Sequence, residues 1–302
     1  MDWIALALVS AAGFALVSAL DKRLLTRYFR NVRGFNMAVG FIQTAVAIVI
    51  VSFAWPITDG GDGRSVALAV GSGALWAISL SLYFFALSRV DVSQATPIWL
   101  TSPIFAAFLA VLFLGDDISV AQWGAIVVVV VGAALVSYNP APGRRNFVPA
   151  AIVGALIVAS VVQAGAFVVN KEASDGLSFW LNNGLRGLGF GTGMMLFNLS
   201  GSGLRSVRDS LRDAAGTRLL IFTEGIMAQV SSLALIASIT LGPVALVAAV
   251  SSSRPLFLLG ISTLLSSRLF GLLNEPLDRN TLALKGASTV MIVAGTSALA
   301  IA

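Results

Sequence analysis

Long, uninterrupted apolar runs constrain the fold of this chain more than any other feature. About ten of them, separated by short polar connections, lie near residues 2–20, 35–55, 66–87, 93–114, 120–138, 149–169, 178–199, 216–238, 243–266 and 282–301. A helix needs about 20 apolar residues to cross a bilayer. The chain is 57% hydrophobic and 11% charged, whereas about 25% of residues are charged in soluble domains. The sequence therefore predicts an all-α integral membrane protein with ten transmembrane helices, which we call spans one to ten.

The pattern within and between the runs refines this prediction. Residues Ile126–Val131 are apolar at every position, which disfavours a transmembrane barrel, where apolar residues alternate. Asp2 stands where a signal peptide has basic residues, so we expect the first run to remain in the protein as span one. The Pro- and Gly-containing segment 139–148 is predicted to be a linker between a five-helix repeat at 1–138 and a second at 149–302.

Basic residues predict the orientation in the membrane. The odd-numbered connections hold nearly all of the Lys and Arg residues near the spans, whereas the even-numbered ones hold only Arg64 and Lys171. By the positive-inside rule, the odd connections are cytoplasmic and both termini face outward. The formal charge of +5 is thus interpreted as a topology signal, and no nucleic-acid partner is expected. For the first connection alone, snorkelling of Lys22–Arg33 to lipid headgroups is an alternative explanation.

The absence of two residue types limits the chemistry. The chain contains no Cys and no His. Thiolate metal sites, cysteine nucleophiles and Ser–His pairs therefore cannot form. We accordingly expect no enzymatic activity, no metal and no cofactor.

The two halves of the chain resemble each other. An offset of 152 residues aligns the segment 102–105 (SPIF) with the segment 254–257 (RPLF), and it aligns Ser72 with Glu224. Because each half has an odd number of spans, the second copy must cross the membrane in the opposite sense. The sequence thus predicts an inverted repeat, the usual basis of alternating access. Chance similarity between apolar helices is the alternative.

Several short motifs resemble a known family. The segment 93–103 (SQATPIWLTSP), followed by 114–118 (LGDDI) and 122–124 (QWG), resembles the EamA repeat of the drug/metabolite transporter superfamily. The segment 274–277 (NEPL) with Lys285 and Gly286 resembles the second copy. The resemblance implies a ten-helix transporter with a central cavity lined by spans one, three, four, six, eight and nine. It also implies a multi-pass protein of the cell membrane, the inner membrane in a bacterium, with a small-molecule substrate.

Three ionisable side chains lie well inside the predicted spans. Arg186, Arg254 and Glu224 are roughly 12, 16 and 21 Å from the outer ends of their helices. A charge at this depth costs about 2.5–3.5 kcal/mol, so each should face a cavity or a partner. The excess positive charge favours an anionic substrate group, and Glu224 is the candidate proton carrier. A closed Arg–Glu pair that only fixes helix packing is the alternative.

Polar and aromatic side chains on the cavity-lining spans complete the predicted substrate site. On span three they recur on one helical face. The predicted residues are Ser72, Trp76, Ser79 and Tyr83 on span three, Trp99 on span four, Gln163 on span six, Ser231 on span eight and Ser251 on span nine. Such a surface suits a substrate with an apolar end and an anionic or zwitterionic end. These residues could equally serve helix packing.

The sequence therefore predicts a secondary transporter, in particular an exporter of a small metabolite such as an amino acid, that works by alternating access. Drug efflux or flipping of a lipid-linked head group on the same fold are alternatives. A non-transporting receptor or assembly subunit is the alternative of another class. The expected partners are the substrate and the lipid bilayer, and we expect a monomer or a homodimer.

Overall fold

A computed structural model describes residues 2–29, 31–58, 61–87, 89–90, 95, 98–137, 149–266, 286–295 and 298. The secondary structure of these residues is helical, which confirms the all-α class. The helices are α1 (Asp2–Arg27), α2 (Val32–Ile57), α3 (Gly63–Leu87), α4 (Ser102–Phe113), α5 (Val120–Ser137), α6 (Ala150–Asp175), α7 (Phe179–Phe197), α8 (Gly201–Leu211), α9 (Ala214–Leu241), α10 (Val244–Ser251), α11 (Arg254–Ser266) and α12 (Gly286–Gly295).

These helices account for the predicted spans. Helices α1, α2, α3, α6 and α9 are each long and apolar enough to cross a membrane. Shorter apolar helices occupy spans four, five, nine and ten, and the glycine-rich α7 occupies span seven. The predicted linker 139–148 and the second family motif at 274–277 lie outside the described residues.

Backbone contacts without intervening side chains hold α7 against α2 and α3. A Cβ atom on Gly73 of α3 would collide with the carbonyl oxygen of Arg186, and one on Gly189 of α7 would collide with the carbonyl oxygen of Val70. Gly191 meets the backbone of α2 in the same way. Between apolar helices in lipid, such close approach replaces the hydrophobic effect as the source of association. The many glycines of span seven therefore position α7 between its two neighbours.

The helix contacts relate the two halves of the chain. Helix α3 packs on α6, and its repeat counterpart α9 packs on α1. Helix α4 packs on α6, and its counterparts α10 and α11 pack on α1. Equivalent spans also meet each other: α2 packs on α7, α4 packs on α10, and Gly132 of α5 lies against Ile292 of α12. A two-fold relation between the halves produces this pattern, so it supports the predicted inverted repeat.

Spans four and nine are interrupted at equivalent positions. In span nine α10 ends at Ser251, and α11 begins at Arg254 with Pro255 in its first turn. In span four a turn at Leu100 and Thr101 precedes α4, whose first turn contains Pro103. Pro103 and Pro255 thus each lie in the first turn of the helix that follows a break. Each break leaves a half-helix whose amino terminus, the positive end of its dipole, lies among the packed helices.

An additional helix lies between spans seven and eight. The hydroxyl of Ser200 caps α8 by accepting a hydrogen bond from the Gly203 N–H at 3.1 Å. The hydroxyl of Ser210 donates to the carbonyl oxygen of Tyr28 at 2.8 Å, which ties α8 to the first connection. The sequence did not predict this helix because it is short and polar. Its exposed Arg205 and Arg208 stand on the side where the basic connections cluster.

Packing of α3 on α7 gives a test with an internal control. We expect Gly73→Ala and Gly189→Ala each to destabilise the protein by about 1–3 kcal/mol, because the added methyl group must displace a backbone carbonyl. Gly71→Ala on the same helix should be neutral or slightly stabilising, since nothing lies within 4 Å of the position of its Cβ. Thermal unfolding in detergent measures the difference. Equal stability of all three variants would contradict the close packing.

The predicted orientation can be tested on the natural chain because it contains no Cys. We expect Asp117→Cys, in the connection between α4 and α5, to react with a membrane-impermeant maleimide in intact cells. Ser202→Cys on α8 should react only after the membrane is permeabilised. The reverse labelling pattern would show that both termini are cytoplasmic.

Candidate functional site

Six spans meet in the middle of the bundle. Helix α1 contacts α9, α10 and α11, and α6 contacts α3, α4, α9 and α10. Spans one, three, four, six, eight and nine are therefore one connected set, the same six that the family resemblance implies. Two groups of charged side chains lie among them.

The first group, which we call the Arg186 cluster, consists of Arg186, Trp76, Phe167 and Ser232. Arg186 of α7 is buried, with only 6% of its surface exposed. Its guanidinium lies over the ring of Trp76, 4.6 Å from the ring centre, and Nη1 donates to the hydroxyl of Ser232 at 3.3 Å. Trp76 in turn makes an edge contact with Phe167 at 5.2 Å.

The charge of Arg186 is not balanced by the protein around it. Among the described residues, Nε of Arg186 has no hydrogen-bond acceptor and no carboxylate forms an ion pair with the guanidinium. A buried cation is usually paired because its desolvation is costly. The Arg186 cluster therefore has unused capacity to bind an anion.

The second group, which we call the carboxyl cluster, consists of Asp21, Gln43, Glu224 and Arg254. Arg254 is the first residue of α11, and its guanidinium lies over the ring of Phe14 at 4.7 Å. Asp21 lies on α1, as does Phe14, and the antiparallel packing of α1 on α9 places it opposite Glu224, since Gly13 lies against Ser231 and Tyr28 against Gly216. The sequence predicted that Arg186, Glu224 and Arg254 meet at one site. In the structure Arg254 and Glu224 belong to the carboxyl cluster, whereas Arg186 lies in the other cluster.

Glu224 is held by an unusual local backbone. Residues Ile221–Met227 form a π-helical turn within α9. Nε2 of Gln43 donates to both the carboxylate Oε2 and the backbone carbonyl oxygen of Glu224, each at 3.1 Å. Nε2 of Gln229 donates to Oε1 of Gln43 at 2.5 Å, which orients that amide. π-helical turns within α-helices occur frequently at functional sites.

Two residues of the carboxyl cluster were missed by the sequence analysis. Asp21 was assigned to the first connection because Lys22 and Arg23 follow it, but α1 continues to Arg27. Gln43 is a neutral amide within an apolar run, and sequence alone does not distinguish such a residue from one that packs between helices. Its spacing carries no signal, since its partners lie on a different helix far along the chain.

Three predicted site residues join α3 to its neighbours instead. Tyr83 and Trp99 stack with ring centres 4.4 Å apart. Nε1 of Trp99 is 3.4 Å from the Ser79 hydroxyl, which donates to the carbonyl oxygen of Ala159 at 2.8 Å. Trp99 and Ser79 thus bridge α3, span four and α6. Tyr83 is also near enough to Arg254 to influence its charge, so its side chain lies beside the carboxyl cluster.

Ser72 and Ser231 likewise make internal contacts. The hydroxyl of Ser72 donates to the carbonyl oxygen of Ala69 at 2.7 Å and accepts from Nδ2 of Asn170 at 3.5 Å. The hydroxyl of Ser231 donates to the carbonyl oxygen of Met227 at 2.7 Å and lies against Gly13 of α1. Both serines serve helix packing in this conformation.

Gln163 and Ser251 retain free polar atoms. Oε1 of Gln163 and the hydroxyl of Ser251 are buried and have no partner in the described part of the chain, and the same holds for the hydroxyl of Ser10. Ser10 and Ser251 lie roughly 10–12 Å from the predicted outer ends of their helices, close to the depth of Arg186, and Gln163 lies roughly 18 Å from the end of α6. A buried polar group without a partner costs about 1–3 kcal/mol, so a substrate that supplies one gains affinity.

Comparison with known proteins agrees with this architecture. Residues 1–138 match the profile of the EamA-like transporter family. The resemblance found in the sequence is thereby confirmed for residues 1–138, and the chain is a multi-pass cell-membrane protein. The assignment of a second repeat remains a prediction.

Two curated relatives and one solved structure are similar. An "Uncharacterized transporter in cobO 3'region" from Sinorhizobium sp is 27% identical over 136 residues, which are 45% of this chain and 96% of that protein. The "Pseudopaline exporter CntI" of Pseudomonas aeruginosa (strain UCBPP-PA14) is 30% identical over 115 residues, 37% of this chain and only 38% of the exporter. One crystal structure has a TM-score of 0.63 at 16% identity, covering 98% of this chain and 94% of its own, and it shows the fold alone.

The structural role of Trp99 can be separated from substrate binding. We expect Trp99→Ala to destabilise the protein by about 3–5 kcal/mol, because a buried aromatic side chain and its stacking partner are lost. Trp180→Ala removes a side chain that is 56% exposed and should change stability little. Thermal unfolding of both variants measures this. A Trp99→Ala variant of normal stability that binds substrate poorly would instead make Trp99 a substrate contact.

Proposed function

We propose that this protein is a secondary transporter that exports a small amphipathic metabolite with an anionic or zwitterionic head group, such as an amino acid. The observation that carries the proposal is the Arg186 cluster: a buried guanidinium on an aromatic ring, without a carboxylate partner in the described residues. A chain that kept this charge only for packing would be expected to pair it.

The chemistry of the Arg186 cluster suits a carboxylate. The planar guanidinium offers donors in a fork that matches two carboxylate oxygens, and Nε is free among the described residues. Trp76 and Phe167 supply an aromatic surface for an apolar substituent. The free polar atoms of Gln163 and Ser251 add a donor and acceptors for a further polar group.

Arg254 and Glu224 have a second role in the proposal. Arg254 lies at the amino terminus of a half-helix, where the helix dipole adds to its positive charge, so it is a second contact for an anionic group. Glu224 is the proposed proton carrier of the transport cycle. Ser72, Ser79, Tyr83, Trp99 and Ser231 make internal contacts in this conformation, and their hydroxyls and rings are proposed to meet the substrate only if their helices separate.

Alternating access is proposed from the symmetry of the helix contacts. The same pairs of helices pack in both halves, and spans four and nine break at equivalent positions. Such duplicated packing offers two arrangements of nearly equal energy, one open to each side of the membrane. Export as the direction is supported by the printed name of CntI, a partial relative. No residue is assigned a catalytic role, and a monomer or a homodimer is proposed.

Binding to the purified protein tests the substrate class. A panel of the proteinogenic amino acids and small carboxylic acids is screened for an increase in melting temperature, which a selective ligand produces by mass action. For the compound that stabilises most, we expect Arg186→Ala to weaken binding by about 100-fold, equivalent to about 2.7 kcal/mol. Arg186→Lys should recover part of the affinity, since the charge returns without the planar fork.

Arg208→Ala is the matched control, because Arg208 is exposed on α8. Its affinity should equal that of the natural protein. If no anionic or zwitterionic compound stabilises the protein, or if Arg186→Ala binds as well as Arg208→Ala, the proposed substrate class is wrong.

A further inference from the structure

We propose that Asp21 and Glu224 form a shared-proton pair, one proton held between two carboxyl groups, that latches α1 to α9 during the transport cycle. The inference rests on the proposed transport function and adds to it the second carboxyl, which the sequence did not indicate.

The pair joins elements from both halves of the chain. Asp21 belongs to α1 in the first repeat and Glu224 to the π-helical turn of α9 in the second. Helices α1 and α9 pack antiparallel, with Gly13 against Ser231 and Tyr28 against Gly216, and this register places Asp21 opposite Glu224. Because a carboxylate oxygen cannot donate, a hydrogen bond between two carboxyl groups requires a proton on one of them. Contact between α1 and α9 at this point therefore depends on protonation.

The charges around the pair balance when one proton is present. The groups that face it are the guanidinium of Arg254 from α11 and the neutral amide of Gln43 from α2, and Tyr83 of α3 faces Arg254. With one shared proton, Asp21, Glu224 and Arg254 together are electroneutral. With none, two negative charges face one positive charge in an apolar surrounding, which is costly.

Partners are arranged unequally around the two carboxyl groups. Glu224 accepts from Gln43 at 3.1 Å through Oε2, whereas Oδ1 of Asp21 is buried without a partner among the described residues. The hydrogen bond from Gln43 therefore fixes the carboxylate of Glu224. The carboxyl of Asp21 keeps an oxygen without a partner among the described residues, on which a proton can be gained or lost.

Position along the membrane normal separates this pair from the Arg186 cluster. Asp21 lies roughly 9 Å from the carboxyl end of α1 and Glu224 roughly 15 Å from the start of α9, both ends predicted to be cytoplasmic. Arg186 lies roughly 10 Å from the opposite end of its helix. The proton site is therefore on the cytoplasmic side of the proposed anion site, where loss of the proton would loosen α1 from α9 and open that side.

Infrared spectroscopy of the full chain in lipid nanodiscs tests the site without any substrate. At neutral pH we expect the C=O stretching band of a protonated, buried carboxyl group, which disappears when the pH is raised. Asp21→Asn and Glu224→Gln should each abolish it, because the remaining carboxylate is left with Arg254 and an uncharged amide. Asp117→Asn, which removes an exposed carboxylate, should leave the band unchanged.

Spin labels at Arg27→Cys and Arg218→Cys, both exposed, report the separation of α1 and α9 in this cysteine-free chain. We expect a longer label distance at high pH in the otherwise natural protein. In Glu224→Gln and Asp21→Asn the distance should stay short at all pH values, since an amide donates the hydrogen bond without a titratable proton. This second measurement also shows whether the two variants fold.

Two results would overturn the inference: absence of the carboxyl band from the natural protein, or persistence of the band and of the pH-dependent distance in both amide variants. Neither measurement uses a substrate. A failure of the binding panel with a normal infrared result would therefore reject the proposed substrate class and leave the proton pair standing.

Discussion

The hydrocarbon core of the membrane requires every charge and every backbone polar group within it to find its partner inside the protein. Helices satisfy the hydrogen bonds of the backbone, so only a few polar and charged side chains still need partners. Here the carboxyl cluster balances Arg254 with Asp21 and fixes Glu224 through Gln43, whereas Arg186 meets a hydroxyl and an aromatic ring and, within the described residues, no carboxylate. The difference between a satisfied and an unsatisfied charge separates the proposed proton site from the proposed anion site.

Close backbone packing gives the bundle its rigidity at the level of these charges. Gly73 and Gly189 bring α3 and α7 into contact without side chains between them, directly beside Arg186. The carboxyl cluster has the opposite character: its contacts are made by side chains on α1, α2, α9 and α11, and one of these helices has a π-helical turn. A transporter needs both kinds of region, one that holds the substrate groups in place and one whose contacts can be exchanged.

The alignment of the two halves pairs helices that pack alike but carry different side chains. Position 72 on α3 is a serine that bonds to its own helix, whereas the aligned position 224 on α9 is the glutamate of the carboxyl cluster. Position 102 begins α4 as a serine, and position 254 begins α11 as an arginine. Spans four and nine thus break at aligned positions, and the break in span nine carries the charge of Arg254, whereas Glu224 lies in the π-helical turn of α9.

The sequence by itself determined the class of the protein, its approximate spans and three of the four charged residues of the two clusters, because hydrocarbon thickness and the cost of burying charge act on each segment separately. It did not determine which charges meet. The sequence pattern predicts Trp99 and Ser79 as substrate contacts, but in the structure they bridge α3 and α6. The sequence likewise places Asp21 in a basic connection, but in the structure it lies on α1 opposite Glu224. Only the tertiary structure decided these points, since the register and rotation of one helix against another depend on steric contacts between residues far apart in the chain.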